Sequence, residues 1–462
     1  MLRFVHVASA PLVLALLAAA CGDDAAKPLT GGGGGSGGRP GASGAEAGMS
    51  DGGGESPEGE GGSGTSAAGA PTDAGGAADA GAPASCNDGK GATIRGRVMA
   101  PSGELPLGGV TVYVPSATVD PPQSGAGCFR CASALAGEPV AAAVTDAEGR
   151  FEITQAPVGE GVPLVVQTGK WQRQLAVTVE DCHDNDADED ATRLPRTRRE
   201  GHLPAIALVS GGEDTLECLL RKLGIADQEF ATAADAGRVR LFRGKGGIAR
   251  LAAAPQSAVP TADELWSDPE RLGIFDLVLL GSEPDSNAAD KPQAALDALH
   301  TYVSAGGRVL AQHFQSYFLS AGPADFAGAA SYVQPAALPQ PFTVSVDESS
   351  ARGQALSASL AAGDPDSVAG ALQLSAGRRL VSAVQTPAVR LLHGAAPATV
   401  QAFSLDLPAP PSAACGRITQ TDLLTSAGDA IADFPSGCTS EGLSAEERAL
   451  AYLVFDLGAC LP

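Results

Sequence analysis

Three side chains in the second half of the sequence could do acid–base chemistry: His313, Glu283 and Asp422. His313 and Glu283 follow short apolar runs, which places them where buried strands would end. Asp422 follows the segment 416–420, with which we expect the chain to return to the sheet. An imidazole with two carboxylates suits general acid–base catalysis and also metal binding. A single histidine with scattered acids is also typical of hydrogen-bonded strand ends, and the pattern favours this plainer interpretation. We therefore keep the three as catalytic candidates and predict no cofactor and no metal.

The elements around these residues decide whether they meet. Residues 206–209 are an apolar run, followed by a glycine turn and by leucines at helical spacing up to Gly224. Runs at 275–280 and 308–311 repeat the pattern, with a helix between them that stops at Gly306. This alternation predicts an α/β three-layer domain with a mostly parallel sheet, in which ligands bind beyond the carboxyl ends of the strands. That rule gathers one crevice from Ser210, Gly211, Gly212, Glu213, Asp214, Ser282, Glu283, Asp285, Gln312, His313, Thr421 and Asp422.

Two further patterns complete this domain, which we place at 204–462. Short strands within about 340–410 predict a β-rich insertion that extends the sheet in the antiparallel sense. Ser444 and Glu447 have the spacing of a capping box, which predicts the start of a last helix.

The strand sequences resemble a known fold. Residues 275–280, 302–309 and 312–313 resemble the class I glutamine amidotransferase-like fold, particularly its trehalose-utilisation-type branch. An active amidotransferase needs a cysteine nucleophile on a tight glycine-flanked turn, with a histidine to activate it. The crevice offers no such cysteine, because Cys218 falls within the first predicted helix and Ser282 lies in Gly-Ser-Glu-Pro. We therefore expect a catalytically silent domain, with a hydrolase or carbohydrate-modifying enzyme acting through this crevice as the alternative.

Between residues 92 and 182, apolar and polar residues alternate in short runs, as in half-buried antiparallel strands. Residues 94–98, 107–112 and 144–151 resemble the carboxypeptidase regulatory-like, transthyretin-related domain. In that family Thr-Asp-x-x-Gly-x-Phe forms a hairpin, and its glycine, here Gly149, supplies a positive φ. The resemblance implies a non-catalytic β-sandwich, which we place at 86–182.

Residues 86–462 as a whole resemble an uncharacterised family of exported bacterial lipoproteins that joins these two domains. The matching runs lie at 169–174, 194–196, 217–224 and 415–417. Relatives carry cysteine at the position of Ser282, a His-Trp-His-type run where this chain has His313-Phe314-Gln315, and a histidine after Asp422. This chain departs from the family at all of these places, which weakens the expectation of metal or acid–base chemistry.

The N-terminal sequence predicts the cellular location of the protein and a flexible linker to the membrane. Arg3, an apolar stretch and Ala18-Ala19-Ala20-Cys21 resemble a bacterial lipoprotein signal, in which Cys21 becomes the lipidated N-terminus. By resemblance to lipoprotein sorting in Gram-negative envelopes, Gly22 after the cysteine implies the outer membrane, facing the periplasm or the cell surface. Residues 22–85 contain 22 glycines among 64 positions, which predicts a long disordered linker between the signal at 1–21 and the first domain.

The net charge of the chain limits the kinds of partner that it can bind. The formal charge of −23 argues against nucleic acid, because a duplex-binding face needs clustered Lys and Arg. We expect the membrane as a partner through the lipid, and an envelope protein or a glycan as the ligand. The acidic run at 181–190 has alternating oxygen ligands but lacks the turn glycine and terminal glutamate of an EF-hand, so 183–203 is predicted to be a solvated charged connector.

The nine cysteines indicate an oxidising compartment, since lipidation of Cys21 leaves an even set for disulfides. Eight cysteines allow 105 connectivities. We single out Cys86–Cys182, which would close the sandwich, with Cys128 and Cys131 as competitors for either partner. The Cys128–Cys131 spacing suits zinc, but a structural zinc site needs a second such pair. The disulfide candidates are Cys86, Cys128, Cys131, Cys182, Cys415, Cys438 and Cys460.

Overall fold

The computed structural model describes residues 91–131, 135–233, 236–363, 370–425, 428–430 and 432–461. The predicted signal peptide, the lipidation site Cys21, the linker and Cys86 lie outside these residues. All described residues belong to one compact unit. None of their helices is long and apolar enough to span a membrane.

The alternating runs of the first region form two small sheets. Their strands are β1 Thr93–Arg97, β2 Thr111–Pro115, β3 Pro139–Val144, β4 Arg150–Thr154, β5 Gly159–Thr168, β6 Trp171–Val179 and β7 Asp184–Asp186. One sheet has the order β4-β1-β7 and the other β3-β2-β5-β6. The inward side chains Ile94, Val112 and Ile153 are fully buried in one core. The structure therefore has a two-sheet β region here, as alternation predicts.

Two details of this region differ from our predictions. β7 lies in the predicted connector and pairs with β1 in parallel, so the strands are not all antiparallel. Gly149 has the expected positive φ, 77°, but the turn joins two sheets and not a hairpin, because β3 pairs with β2 and β4 pairs with β1. A Cβ on Gly149 would lie 2.3 Å from the Val98 carbonyl oxygen, so the crossing itself requires glycine.

The acidic segment after this region is folded. Arg95 forms ion pairs with Asp184 and with Glu152. Asp188 caps the short helix α1, Glu189–Thr192, by accepting a hydrogen bond from the backbone N–H of Ala191 at 2.9 Å. Pairing and capping thus offset the charge repulsion that led us to predict a solvated connector.

A mixed ten-stranded sheet forms the centre of the second region. Its strands, and those of two small two-stranded sheets, are β8 Ile206–Ser210, β9 Phe230–Ala231, β10 Val239–Arg243, β11 Arg250–Leu251, β12 Ala254–Ala258, β13 Leu277–Leu280, β14 Arg308–Gln312, β15 Ala330–Ala337, β16 Phe342–Val346, β17 Ala371–Leu374, β18 Arg378–Val384, β19 Val389–Ala395, β20 Ala398–Leu407 and β21 Gly416–Thr421. The order of the large sheet is β17-β16-β19-β20-β21-β14-β13-β8-β10-β9, while β11 pairs with β12 and β15 with β18. The strands from β21 to β9 are parallel, and those from β20 to β17 are antiparallel. The predicted parallel sheet with an antiparallel extension is confirmed in this form.

Helices cover both faces of the sheet. They are α2 Leu216–Lys222, α3 Asp263–Trp266, α4 Pro269–Gly273, α5 Gln293–Ser304, α6 Tyr317–Ser320, α7 Ala324–Ala327, α8 Ala351–Gly363 and α9 Ala445–Gly458. On one face Leu208 and Leu279 share a core with α2, α8, α9 and the N-terminal β region. On the other face Val209 and Leu280 share a core with α3 to α7. Alternate strand residues therefore point into two cores, which is why these strands are apolar throughout.

Three disulfides among the described residues place the protein in an oxidising compartment. They join Cys128 to Cys415, Cys131 to Cys460 and Cys218 to Cys438. Cys128 and Cys131 therefore do not compete for Cys182, and Cys218, which we had left out of the candidates, is bridged from inside α2. Cys182 is also disulfide-bonded, but the Cys86 half of the predicted Cys86–Cys182 bridge lies outside the described residues.

Candidate functional site

The strands that end at the predicted crevice are neighbours in the sheet. β21, β14, β13 and β8 lie side by side, all parallel. Their registers place Gln312 beside Thr421 and Leu280 beside Ala311. The carboxyl ends of these strands therefore meet at one edge, where the sequence pattern had gathered its polar residues.

His313 lies at the turn from β14 into the following helical segment. Its φ of 48° is in the left-handed region, which is rare for a residue other than glycine. The imidazole is fully buried, and its Nε2–H donates to the backbone oxygen of Asp422 at 2.8 Å. Its Nδ1 has no partner. Burial lowers the pKa of His313 to about 4, so the ring is neutral at neutral pH.

Asp422 meets His313 through its backbone and not through its carboxyl group. One carboxyl oxygen accepts from the Gln420 amide at 2.7 Å, and the other has no partner. Burial raises the pKa of Asp422 to about 8, so the group is mostly protonated at pH 7. This carboxyl therefore neither orients the imidazole nor offers a charged ligand for a metal.

Glu283 is occupied by other partners. The Lys291 ammonium donates to its Oε2 at 2.6 Å, the Asn287 amide donates at 3.0 Å, and the backbone N–H of Lys245 donates to its Oε1 at 2.9 Å. Lys291 and Glu283 are both nearly inaccessible to solvent. These contacts hold the loop after β13, and none of them involves His313.

Asp214 connects the loop after β8 to the segment after β21. It accepts hydrogen bonds from Thr425 Oγ1 at 2.6 Å and from the Gln312 amide at 2.5 Å. The same Gln312 amide donates to the Leu423 backbone oxygen at 3.1 Å. Burial raises the pKa of Asp214 to about 6. Beside it, Glu213 pairs with Arg378 at 3.1 Å, so β18 is also tied across the strand ends.

The remaining predicted residues are structural or lie outside the cluster. Ser210 Oγ donates to the Phe242 backbone oxygen at 3.3 Å and accepts from the Ile248 N–H at 3.1 Å. Gly211 allows a close approach, because a Cβ there would lie 1.9 Å from the Ser282 oxygen. Asp285 is exposed in the loop after β13.

The cluster at the strand ends is closed to solvent. Ser282, Gln312, His313, Thr421 and Asp422 all have a solvent exposure of 0%. Six buried side-chain atoms of this edge lack hydrogen-bond partners: Ser282 Oγ, Gln312 Oε1, His313 Nδ1, Gln315 Oε1, Gln401 Oε1 and Asp422 Oδ2. Because neither Ser282 Oγ nor His313 Nδ1 has a partner, they do not form the hydrogen-bonded pair of an activated serine. The described residues also contain no group of three or more His, Cys, Asp or Glu side chains placed to hold a metal.

The open space lies one strand further along the sheet. A cavity of about 760 Å³ opens beyond β10 and β13. Its charged and hydroxyl lining residues are Arg243, Lys245, Thr261, Asp263, Ser267, Glu283 and Asp290. Only Glu283 of these was in the predicted crevice. The run Gly244-Lys245-Gly246-Gly247 in its wall is a turn signal that our sequence analysis did not use.

Several residues that shape this edge were missed. Lys291 lies alone in a polar loop, and nothing in its sequence context marks it as the buried partner of Glu283. Gln401 is in the antiparallel extension, which the sequence did not place next to β21. Glu217 is a carboxyl in the apolar helix α2, and an acid on a buried face is a signal that could have been followed.

Comparisons with known proteins give only distant likenesses. No protein-family model matches the chain, and no curated protein matches it. Among solved structures, a ThuA-like protein from Bacteroides uniformis aligns with 12% identity over 56% of this chain and 92% of its own, at a TM-score of 0.28. PurLQS from Thermotoga maritima aligns with 8% identity over 55% of this chain and 100% of its own, at a TM-score of 0.28. A type II cohesin–X-dockerin complex from Acetivibrio cellulolyticus aligns with 17% identity over 32% of this chain and 87% of its own, at a TM-score of 0.15.

Proposed function

We propose that this protein is an exported, membrane-anchored binding protein whose α/β region is catalytically silent. The closed strand-end cluster carries this proposal. A catalytic site must admit its substrate to the reacting groups, and here the imidazole and the Ser282 hydroxyl have no exposed surface. The three catalytic candidates are also bound to separate partners. A binding role does not require these groups to be free.

The 760 Å³ cavity is the place where a ligand would bind. Its lining is charged and hydroxylated, which suits a hydrophilic ligand with many hydroxyl groups, such as a glycan of the cell envelope. Lys245 and Asp263 provide a donor and an acceptor at its wall. An envelope protein that inserts a polar loop is the other occupant compatible with this chemistry.

Binding can be tested with a glycan array probed by the full chain. We expect selective binding that Lys245→Ala and Asp263→Ala each reduce at least tenfold, while Arg150→Ala, an exposed arginine of β4, leaves it unchanged. Binding that all three variants retain equally would place the ligand elsewhere. A blank array together with capture of one envelope protein, sensitive to the same two variants, would identify the polar protein ligand instead.

The anchor rests on the sequence at Cys21. The disulfides support export, and the Ala18-Ala19-Ala20-Cys21 run supports lipidation. Radiolabelled palmitate should enter the wild-type chain and not Cys21→Ser. Equal labelling of both would refute the anchor. Within the same proposal, the N-terminal β region is an accessory domain of transthyretin-related type, supported by the Thr145-Asp146 turn motif with Gly149 at positive φ.

An enzyme remains the second candidate because of one observation. His313 is a non-glycine residue held in a left-handed conformation at a strand-to-helix turn, where many hydrolases place a reactive side chain, and its Nδ1 is a neutral, unused base. A hydrolase would cleave trehalose or nitrophenyl glycosides, and His313→Ala would abolish the activity while the exposed His183→Ala would not. If the wild-type protein cleaves none of these substrates, the enzyme hypothesis is rejected and the binding role is retained.

A further inference from the structure

A small cavity lies far from the strand-end cluster, between the N-terminal β region and the large sheet. Its volume is about 20 Å³, enough for a single ligand of about the size of a water molecule. Its walls include Gly127, Phe129, Trp171, Asp276, Arg308 and Gly458. Cys128 lies between the wall residues Gly127 and Phe129, so the Cys128–Cys415 disulfide borders this cavity.

Two wall residues carry buried hydrogen-bond donors that no described residue uses. Trp171 Nε1 and Arg308 Nη1 are buried and have no acceptor in the described structure. The side chains are almost inaccessible, with 1% of Trp171 and 4% of Arg308 exposed. Both atoms can only donate. Unpaired buried donors are rare in native proteins, so a missing acceptor is the simplest account of the pair.

Arg308 also lacks a negative partner. It forms no salt bridge with any described residue, and its Nη2 has only a long contact of 3.5 Å with the Phe129 backbone oxygen. The other charges of the cavity wall are already balanced, because Lys170 donates to Asp276 at 2.6 Å. Burial lowers the pKa of Arg308 to about 10, so it still carries its charge at neutral pH.

The neighbouring charges do not supply the missing anion. Arg417 pairs with Asp406 at 2.6 Å, and Asp456 is shared by Arg352 and Arg417. With Arg308, these described groups comprise three guanidinium ions and two carboxylates. One positive charge is left over, and it lies at the cavity.

We propose that the cavity binds one chloride ion, held by the Trp171 and Arg308 N–H groups. A monatomic anion fits a space of this volume. It accepts from both unused donors and neutralises the excess charge. The ion would thereby help to fasten the N-terminal β region to the large sheet, next to the Cys128–Cys415 disulfide.

The solution test is thermal unfolding of the full chain in sodium chloride and in sodium gluconate at equal ionic strength. A ligand that binds only the folded state raises the unfolding midpoint with its concentration. We expect chloride to raise the midpoint by about 2 °C or more relative to gluconate, a shift of the size that one bound ion produces in a chain of this length.

Matched variants assign the shift to this site. Trp171→Phe keeps an aromatic ring but loses the N–H, and Arg308→Gln removes the charge, so both should lose the chloride-dependent shift. Arg150→Gln removes an exposed arginine and should keep it. A chloride shift that is the same in wild type, Trp171→Phe and Arg150→Gln would overturn the proposal.

Crystals of the wild-type protein soaked in bromide give a test that does not depend on any variant folding. The proposal expects an anomalous peak within hydrogen-bond distance of Trp171 Nε1 and Arg308 Nη1. Density for a water molecule without an anomalous peak would show that the cavity is hydrated and would overturn the chloride proposal.

Discussion

At the scale of single residues, burial shifts the pKa values of three ionisable groups at the strand ends towards the neutral form. Burial lowers the pKa of His313 and raises the pKa of Asp422 and Asp214, so each group is pushed towards its neutral form. Glu217, on the nearby helix α2, follows the same rule, with its pKa raised to about 8 and one carboxyl oxygen without a partner. Neutral groups cost less to bury than charged ones. The shifts therefore agree with a closed, structural edge.

The sign of each pKa shift sets how stability depends on pH. Glu217, Asp422 and Asp214 bind protons more tightly in the folded chain, so they lower stability as pH rises from their unfolded pKa to their folded pKa. His313 acts in the opposite direction, between its folded pKa of about 4 and the usual histidine pKa of 6.5. Between pH 6.5 and 8 the ionisation of Glu217 and Asp422 therefore contributes a fall in stability with rising pH.

Glu217→Gln should make this fall shallower. The amide has nearly the shape of the protonated acid and cannot ionise, so the variant loses one group's contribution of at most about 1.4 kcal/mol per pH unit. Urea unfolding at several pH values between 6.5 and 8 measures the slope. The exposed Glu160→Gln is the control and should keep the wild-type slope. Equal slopes in all three proteins would mean that Glu217 is ionised in the folded state.

The chemistry of single residues was only partly readable from sequence. The pattern placed His313, Asp422 and Gln312 at one edge, and they do meet there. For Gln312 and His313 the strand end follows from the apolar run before them. It could not show that Glu283 pairs with Lys291, because that contact depends on how the loop after β13 folds back. The burial of these side chains could not be predicted either. Residues 423–425 cover the edge by contacting Asp214 and Gln312, which are distant from them in the sequence.

At the scale of elements, local signals were sufficient where the contacts are local. The capping box of α9 is present: Ser444 Oγ accepts from the Glu447 N–H at 3.1 Å, and the Glu447 carboxylate accepts from the Ser444 N–H at 2.8 Å. By contrast, β10 was missed because its sequence, Val-Arg-Leu-Phe-Arg, alternates like a half-exposed strand although it lies inside the parallel sheet. Helix α8 was missed because its small and polar residues give little apolar periodicity.

Ser444→Ala should destabilise the protein by about 1 kcal/mol, the usual cost of losing an N-cap side chain. The Glu447 N–H loses its acceptor, while Glu447 keeps its contact with Lys222 at 3.2 Å, so the loss should be confined to the cap. Ser444→Asn can still accept the hydrogen bond and should restore most of the stability. Chemical unfolding of the two variants and of the exposed Ser440→Ala decides the matter: equal destabilisation by Ala and Asn would mean that the cap contributes nothing.

At the scale of the whole molecule, the N-terminal β region and the large sheet are bound together more closely than the sequence suggested. The fully buried Ile94, Val112, Leu208 and Leu450 belong to one hydrophobic core. Two of the disulfides then join the loop at 128–131 to the C-terminal part. Periodicity separates the two regions along the chain, but it contains no information about contacts between them, so the pairing of distant cysteines could not be predicted.

The two parallel disulfides predict a specific kind of non-additivity. Cys128–Cys415 and Cys131–Cys460 have sequence separations of 287 and 329, yet when one of them is intact the other closes a loop of only about 48 residues. Because the Cys218–Cys438 bridge shortens the path between these segments, the first cross-link closes a loop of about 110 residues. In the chain-entropy model it is then worth about 5 kcal/mol and the second about 4 kcal/mol, before any loss to strain. Removing one disulfide while the other is intact should therefore lower the free energy of unfolding by less than removing the second one afterwards.

The test compares the free energies of unfolding of Cys128→Ser/Cys415→Ser, Cys131→Ser/Cys460→Ser and the combined variant. Each double variant should lose up to about 4 kcal/mol, and the combined variant should lose more than the two losses added together, because only then is the long loop released. Failure of the combined variant alone to fold is the limiting form of this result. Strict additivity would mean that the unfolded chain already holds these segments close together, so that the bridges act through the folded state.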